Sequence, residues 1–115
     1  LTVLNTGLNR IRDLIDGDIN DGRAGTDTTL PDPTQTTLIS PVATTALSVT
    51  TVTTDKTITI SHTIPSGTAN GNTLTEWETR LNSGNISLHR STTAGVSKVA
   101  GIEVTRITTF SIEGN

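Results

Sequence analysis

The alternation of apolar and polar residues is clearest near the end of the chain, in Gly101–Gly114 (GIEVTRITTFSIEG). Ile102, Val104, Phe110 and Ile112 fall on one side of an extended ribbon, and Glu103, Thr105, Thr109 and Ser111 on the other. Successive side chains of a strand point to opposite faces, so this spacing predicts one core face and one solvent or partner face. Arg106 and Thr108 interrupt the apolar side, and Ile107 sits on the polar one. That predicts a second face covered in its middle by another sheet or another subunit. The same period runs through Lys56–Ile64, where Ile58, Ile60 and Ile64 share a face with His62.

Only Asn5–Ile15 (NTGLNRIRDLI) follows a helical period, with Leu8, Ile11, Leu14 and Ile15 on one stripe. Thr6 or Asn5 is placed to cap its start, and Asp16-Gly17 to stop it. At about three turns such a helix is marginal alone, so its stripe must dock on the sheet or on a neighbour. Arg10, Arg12 and Asp13 lie off the stripe and read as a solvated face. Three of the four prolines fall in Thr26–Pro41, which marks an extended connector.

Beyond it, Val42–Thr54 reads as strand, with Leu47 and Val49 on one face and Val52 on the other, and Asp55-Lys56 as a hairpin connection. Asn70-Gly71 marks a turn before a strand at Thr73–Trp77. Glu78–Gly84 reads as a connection with room for one helical turn, and Asn85–Ser91 as a further strand. These elements predict a single mainly β domain over 1–115, a small antiparallel β-sandwich with one N-terminal α-helix. Its parts are a helix at 5–16, a loop and extended connector at 17–41, and the sandwich at 42–115.

Composition sharpens this picture. Apolar residues make up 31% of the chain and the large aromatics are only Trp77 and Phe110, so the core must be built of Ile, Val and Leu. Threonine, at 26 residues, favours strands while keeping an outer face wet. This balance suits a module of an extracellular or virion structure better than a metabolic enzyme. The net charge of -3 is spread without like-charge runs, so nucleic acid is not expected, and no apolar run approaches the length of a membrane span, so neither is membrane insertion. There is no cysteine, which excludes thiolate metal sites and disulfides.

Asp16, Asp18, Asn20 and Asp27 occupy positions one, three, five and twelve of a calcium-loop register. Against a bound Ca²⁺, Asp21 stands where the loop needs glycine, and Asp27 is shorter than the usual Glu. A structural turn is therefore the first expectation and a cation site the second. His62 reads as a satisfied or rim histidine rather than a ligand. Glu76, beside Leu74 and Trp77, reads as the partner of Arg80 or Arg90. No Ser/His/acid set, phosphate-binding glycine loop, carboxylate pair at hydrolase-like spacing on one element or cofactor fingerprint emerges, so no enzyme is expected.

Asn5–Ile15, Ala69–Trp77 (ANGNTLTEW) and Ile102–Ile112 together resemble a family of small tailed-virus structural proteins. In that family, tail, tail-fibre or baseplate-associated, the matching stretches read TGLxxIRDLL, ANGxTLTEVGLF and EVTVTITF. The chain departs from it after the helix, where GTDTT replaces GTGTTAP, and at Trp77-Glu78-Thr79, which replaces Val-Gly-Leu. The resemblance implies a non-enzymatic, multi-copy virion component of a tail fibre or baseplate, a homo-oligomer in contact with other virion proteins. Leu8, Ile11, Ile15 and Trp77 are the candidate contact residues. A capsid decoration or turret protein is the alternative within that class. Another class is a carbohydrate- or receptor-binding module for a host-surface glycan, with Trp77 as platform and the Asp16–Asp27 loop as calcium site.

Overall fold

The computed structural model describes residues 1–52 and 56–113, with residues 46–52 as backbone alone. Helix α1 (Asn5–Asp18) is followed by six strands: β1 (Ile19–Gly25), β2 (Pro41–Val52), β3 (Thr57–Ile64), β4 (Asn72–Leu81), β5 (Ile86–Lys98) and β6 (Val104–Ser111). The protein is thus mainly β with one N-terminal helix. The strands form one antiparallel array in the order β5-β4-β1-β2-β3-β6.

The array folds over along β2. The first part of this strand pairs with β1, from Gly25↔Pro41 to Asp21↔Ala46, and the rest pairs with β3, from Leu47↔His62 to Val52↔Thr57. A strand that passes from one set of partners to another turns a corner between layers. Here it brings β4 and β5 over β3 and β6. The rings of Trp77 and His62 meet edge to face at 5.4 Å between centroids, and those of His89 and Phe110 at 5.0 Å. Neither pair belongs to hydrogen-bonded neighbours, so both contacts cross the interior.

Between the layers lie Ala24, Ala43, Ile64, Leu74 and Trp77, with Ala69 and Val104 packed against them. Ile58, Ile60, His62 and Ile64 are all buried along one face of β3, as the period of that strand predicts. The core is thin and the molecule elongated, with extents of 50 × 28 × 25 Å. Its radius of gyration is 15.1 Å, against about 13 Å for a compact domain of about 100 residues.

Several boundaries differ from those the sequence predicts. The helix continues through Gly17 to Asp18, and its N-cap is Leu4, which makes no side-chain cap; neither Thr6 nor Asn5 fills that role. Arg12 is buried rather than solvated, and of the apolar stripe only Leu8 is buried while Ile15 is half-buried. Ile11 and Leu14 remain 43% and 55% exposed. The segment 19–25, expected as loop, is β1, a central strand. Its sequence INDGRAG has little strand preference; pairing on both sides imposes the conformation. The strand expected to end at Trp77 runs on to Leu81, and β5 extends to Lys98. The faces expected for Leu47, Val49 and Val52, and Asp55 of the expected turn, lie outside the described side chains and residues.

Candidate functional site

β4 is buried from Leu74 to Thr79, because both of its faces are covered. Trp77 points into the core. Glu76 and Glu78, two residues apart, share the opposite face, over which the connector 26–40 is laid. Both carboxylates are fully buried. They are the only buried acids among the described residues, and they face charge supplied by the strands on either side.

Register explains that charge. Arg23 of β1 stands opposite Glu78, and Arg90 of β5 stands opposite Glu78 on the other side. Arg23 Nε donates to Glu78 Oε1 at 2.5 Å, and Ser87 Oγ donates to Glu78 Oε2 at 2.8 Å. The Thr37 hydroxyl lies 3.3 and 3.2 Å from the two oxygens and also accepts from Arg23 Nη2. Glu76 accepts the backbone N–H of Ser40 at 2.6 Å, that of Ile39 at 3.1 Å, and Arg90 Nε at 2.9 Å. Arg90 Nη2 sits 2.8 Å from Glu76 Oε2 but off the hydrogen-bonding direction, so there it acts as a charge rather than a donor. In the next register row, Asp21 and Arg80 form a two-pronged pair at 2.6 Å for each bond.

This cluster fastens the connector to the sheet. Gly25 is required beside it, since a Cβ there would overlap the Glu76 carboxylate and the Ser40 carbonyl. Arg90 Nη1 also donates to Thr29 O at 2.7 Å, and the Thr75 hydroxyl to Asp27 O at 2.9 Å. The sequence pointed to Glu76 with Arg80 or Arg90 as its partner; the partner is Arg90, and Arg80 pairs with Asp21. Glu78 was missed because the strand was expected to end at Trp77, and with it the carboxylate pair on one strand face; Glu-x-Glu-x-Arg at 76–80 was the available signal.

A catalytic carboxylate needs a proton to move or a lone pair facing a substrate. The oxygens of Glu76 and Glu78 are taken up by arginines, hydroxyls and backbone amides. Beside them an open cleft of about 450 Å³ is lined by Pro31, Asp32, Pro33 and Gln35 from the connector and by Leu88, His89 and Arg90 from β5. Its polar groups are also engaged, with His89 Nε2 and the Thr79 hydroxyl 2.9 Å apart.

The two histidines are held neutral. Burial, then the neighbouring His89, lowers the pKa of His62 to about 4, with Asp21 opposing. Burial, then Arg106, lowers that of His89 to about 4, with Glu78 opposing. His62 Nε2 has no hydrogen-bond partner in the interior.

The aspartate set is not brought together. Asp16 and Asp18 lie in the last turn of α1, Asn20 near the start of β1, and Asp27 past its end. A seven-residue strand spans about 20 Å, so these oxygens do not face one point. Asp27 instead accepts the Thr29 N–H at 2.7 Å, and the Thr29 hydroxyl and amide hold its carboxyl below the usual range. Among the described residues no three acidic or histidine side chains group as a metal site. Of the contact candidates, Leu8 and Trp77 are core residues. Trp77 is 3% exposed with its indole N–H 3.2 Å from the Thr93 hydroxyl, so it offers no platform to a sugar. Ile11 remains at the surface. Comparison with protein-family models, curated proteins and solved structures finds no match for this chain.

Proposed function

We propose that this chain is a non-enzymatic structural subunit, present in many copies, that acts through contacts between subunits in a tailed-virus tail fibre or baseplate. The observation that carries the subunit reading is where its apolar side chains lie. While the core is thin, Leu4 and Leu14 of the N-terminal region are 67% and 55% exposed, and Ile107 of β6 is 67% exposed. Small β domains with thin cores gain stability by association, which removes such surface from water. The buried acids support the same reading, since their bonding leaves them no free chemistry. The assignment to a tail rests on the resemblance of residues 5–15, 69–77 and 102–112 to tail proteins. A decoration or turret subunit would use the same surfaces against a capsid shell.

The test is molar mass in solution by light scattering, with and without a calcium chelator. A defined oligomer, unchanged by chelation, is expected. A chain that stays monomeric at every concentration overturns the reading, and an oligomer that dissolves in chelator points instead to a cation-dependent binding module.

A further inference from the structure

We infer that two copies of this chain pair edge to edge through β6, about a two-fold axis at Ile107. This rests on the subunit reading above and names both the partner and the contact.

β5 and β6 end the strand order and so carry unpaired N–H and C=O groups, as does each half of β2, which pairs with β1 over 41–46 and with β3 over 47–52. Natural edges are blunted by charge, proline, bulges or a covering segment. β5 has such devices: Arg90 and Lys98, two register shifts against β4, and the connector tied to it through Arg90. β6 has none. It pairs with β3 over eight residues without a shift, contains neither Pro nor Gly, and exposes only Thr105, Ile107, Thr109 and Ser111.

The ladder fixes which backbone groups are open. Ile112 N–H donates to Lys56 O at 2.9 Å, which makes these two a hydrogen-bonded pair. Bonded and non-bonded pairs alternate along an antiparallel ladder. Val104, Arg106, Thr108 and Phe110 therefore bond to β3, and the N–H and C=O groups of Thr105, Ile107, Thr109 and Ser111 turn to the open edge.

A second copy laid antiparallel, with Ile107 opposite Ile107, meets these groups in register. Thr105 then stands opposite Thr109 of the second copy, and each such pair exchanges two hydrogen bonds. On the outer face, Ile107 is covered by its counterpart and flanked by Thr–Thr pairs. β3 and β6 already make such pairs, with hydroxyls 3.4 Å apart in Thr59–Thr109 and 2.9 Å apart in Thr63–Thr105. On the inner face, Thr108 of the second copy stands opposite Arg106, whose Nε is buried without a hydrogen-bond partner in the single chain. Val104 stands opposite Phe110. No like charges meet in this register, whereas a slip that centres the axis on Arg106 sets arginine against arginine. The contact is self-complementary, as a two-fold interface requires.

The experiment compares wild type with Ile107→Lys, Thr109→Pro and Ile11→Lys by light scattering, with circular dichroism to verify folding. Ile107 points outward, and the Thr109 N–H is not used by β3, so both edge variants keep the fold. The expected result is a wild-type mass twice the chain's 12.1 kDa, halved by Ile107→Lys and Thr109→Pro and unchanged by Ile11→Lys. An oligomer that survives both edge variants, or dissolves only with Ile11→Lys, overturns edge pairing and leaves the subunit reading standing. A wild type that is monomeric up to its solubility limit overturns both.

Discussion

The two halves of the array are held together by different means. In β5-β4-β1, ion pairs link the strands: Glu76 with Arg90 and Glu78 with Arg23, whose carboxylates are buried, and Asp21 with Arg80, which is half-buried. In β3-β6 the inner face of β3 is isoleucine and histidine, the rungs are threonine pairs, and no ion pair occurs among the described residues. In the charged half the connector lies across the face of β4 and is tied to the outer strand β5 through Arg90. The aliphatic half ends in a bare edge. Where a fold spends its hydrogen-bonding capacity indicates where a neighbour has room to add its own.

The largest effect should come from breaking the charged half. Glu76→Ala strands a buried Arg90 and two backbone amides, and removing one partner of a buried pair costs about 3–5 kcal/mol. Denaturant unfolding should show that loss, together with loss of amide protection at Ile39 and Ser40. Glu76→Gln, which keeps an acceptor but not the charge, should cost less. Equal costs for the two variants would mean that the hydrogen bonds, not the charge, hold the connector.

Acid should act next, at the seam between the halves. Both histidines have folded pKa values near 4, below the unfolded value of 6.5. Their contribution is therefore complete above pH 6.5 and is lost as pH falls through 4, because only the unfolded chain takes up protons in that window. For His62 this is worth at most on the order of 3 kcal/mol. Melting temperature measured from pH 7 to pH 4 should fall, and His62→Phe should flatten the curve. A wild-type midpoint that holds constant over that range would contradict the burial of both rings.

Much of the aliphatic half was legible in the sequence and much of the charged half was not. The period of Lys56–Ile64 gave the buried face of β3 directly, because alternating isoleucine has few other uses. Ile107, out of phase in the last ribbon, predicted a covered second face; within one chain that face is open. β1 was hidden, since Asp, Asn and Gly read as turn residues and become strand only when neighbours pair on both sides. Once β1 was missed, Arg23 had no strand to stand on and the cluster around Glu78 could not be assembled. The aspartate register misled for the same reason: it assumed a loop where the chain is first helix and then strand.

Smaller effects sharpen the contrast. Gly25→Ala forces a methyl into the space of the Glu76 carboxylate and should destabilise by about 1–3 kcal/mol, as overpacking does, seen as a lower urea midpoint. Ile107→Lys should leave the stability of the single chain within about 0.5 kcal/mol, since the site is exposed, while abolishing association.

The most direct test follows amide hydrogen exchange residue by residue in dilute and concentrated wild-type protein. Ile39 and Ser40 should be protected at both concentrations, through their bonds to Glu76. Thr105, Ile107 and Thr109 should exchange freely when dilute and become protected when concentrated. Edge amides that exchange at the same fast rate in both samples would contradict pairing through β6.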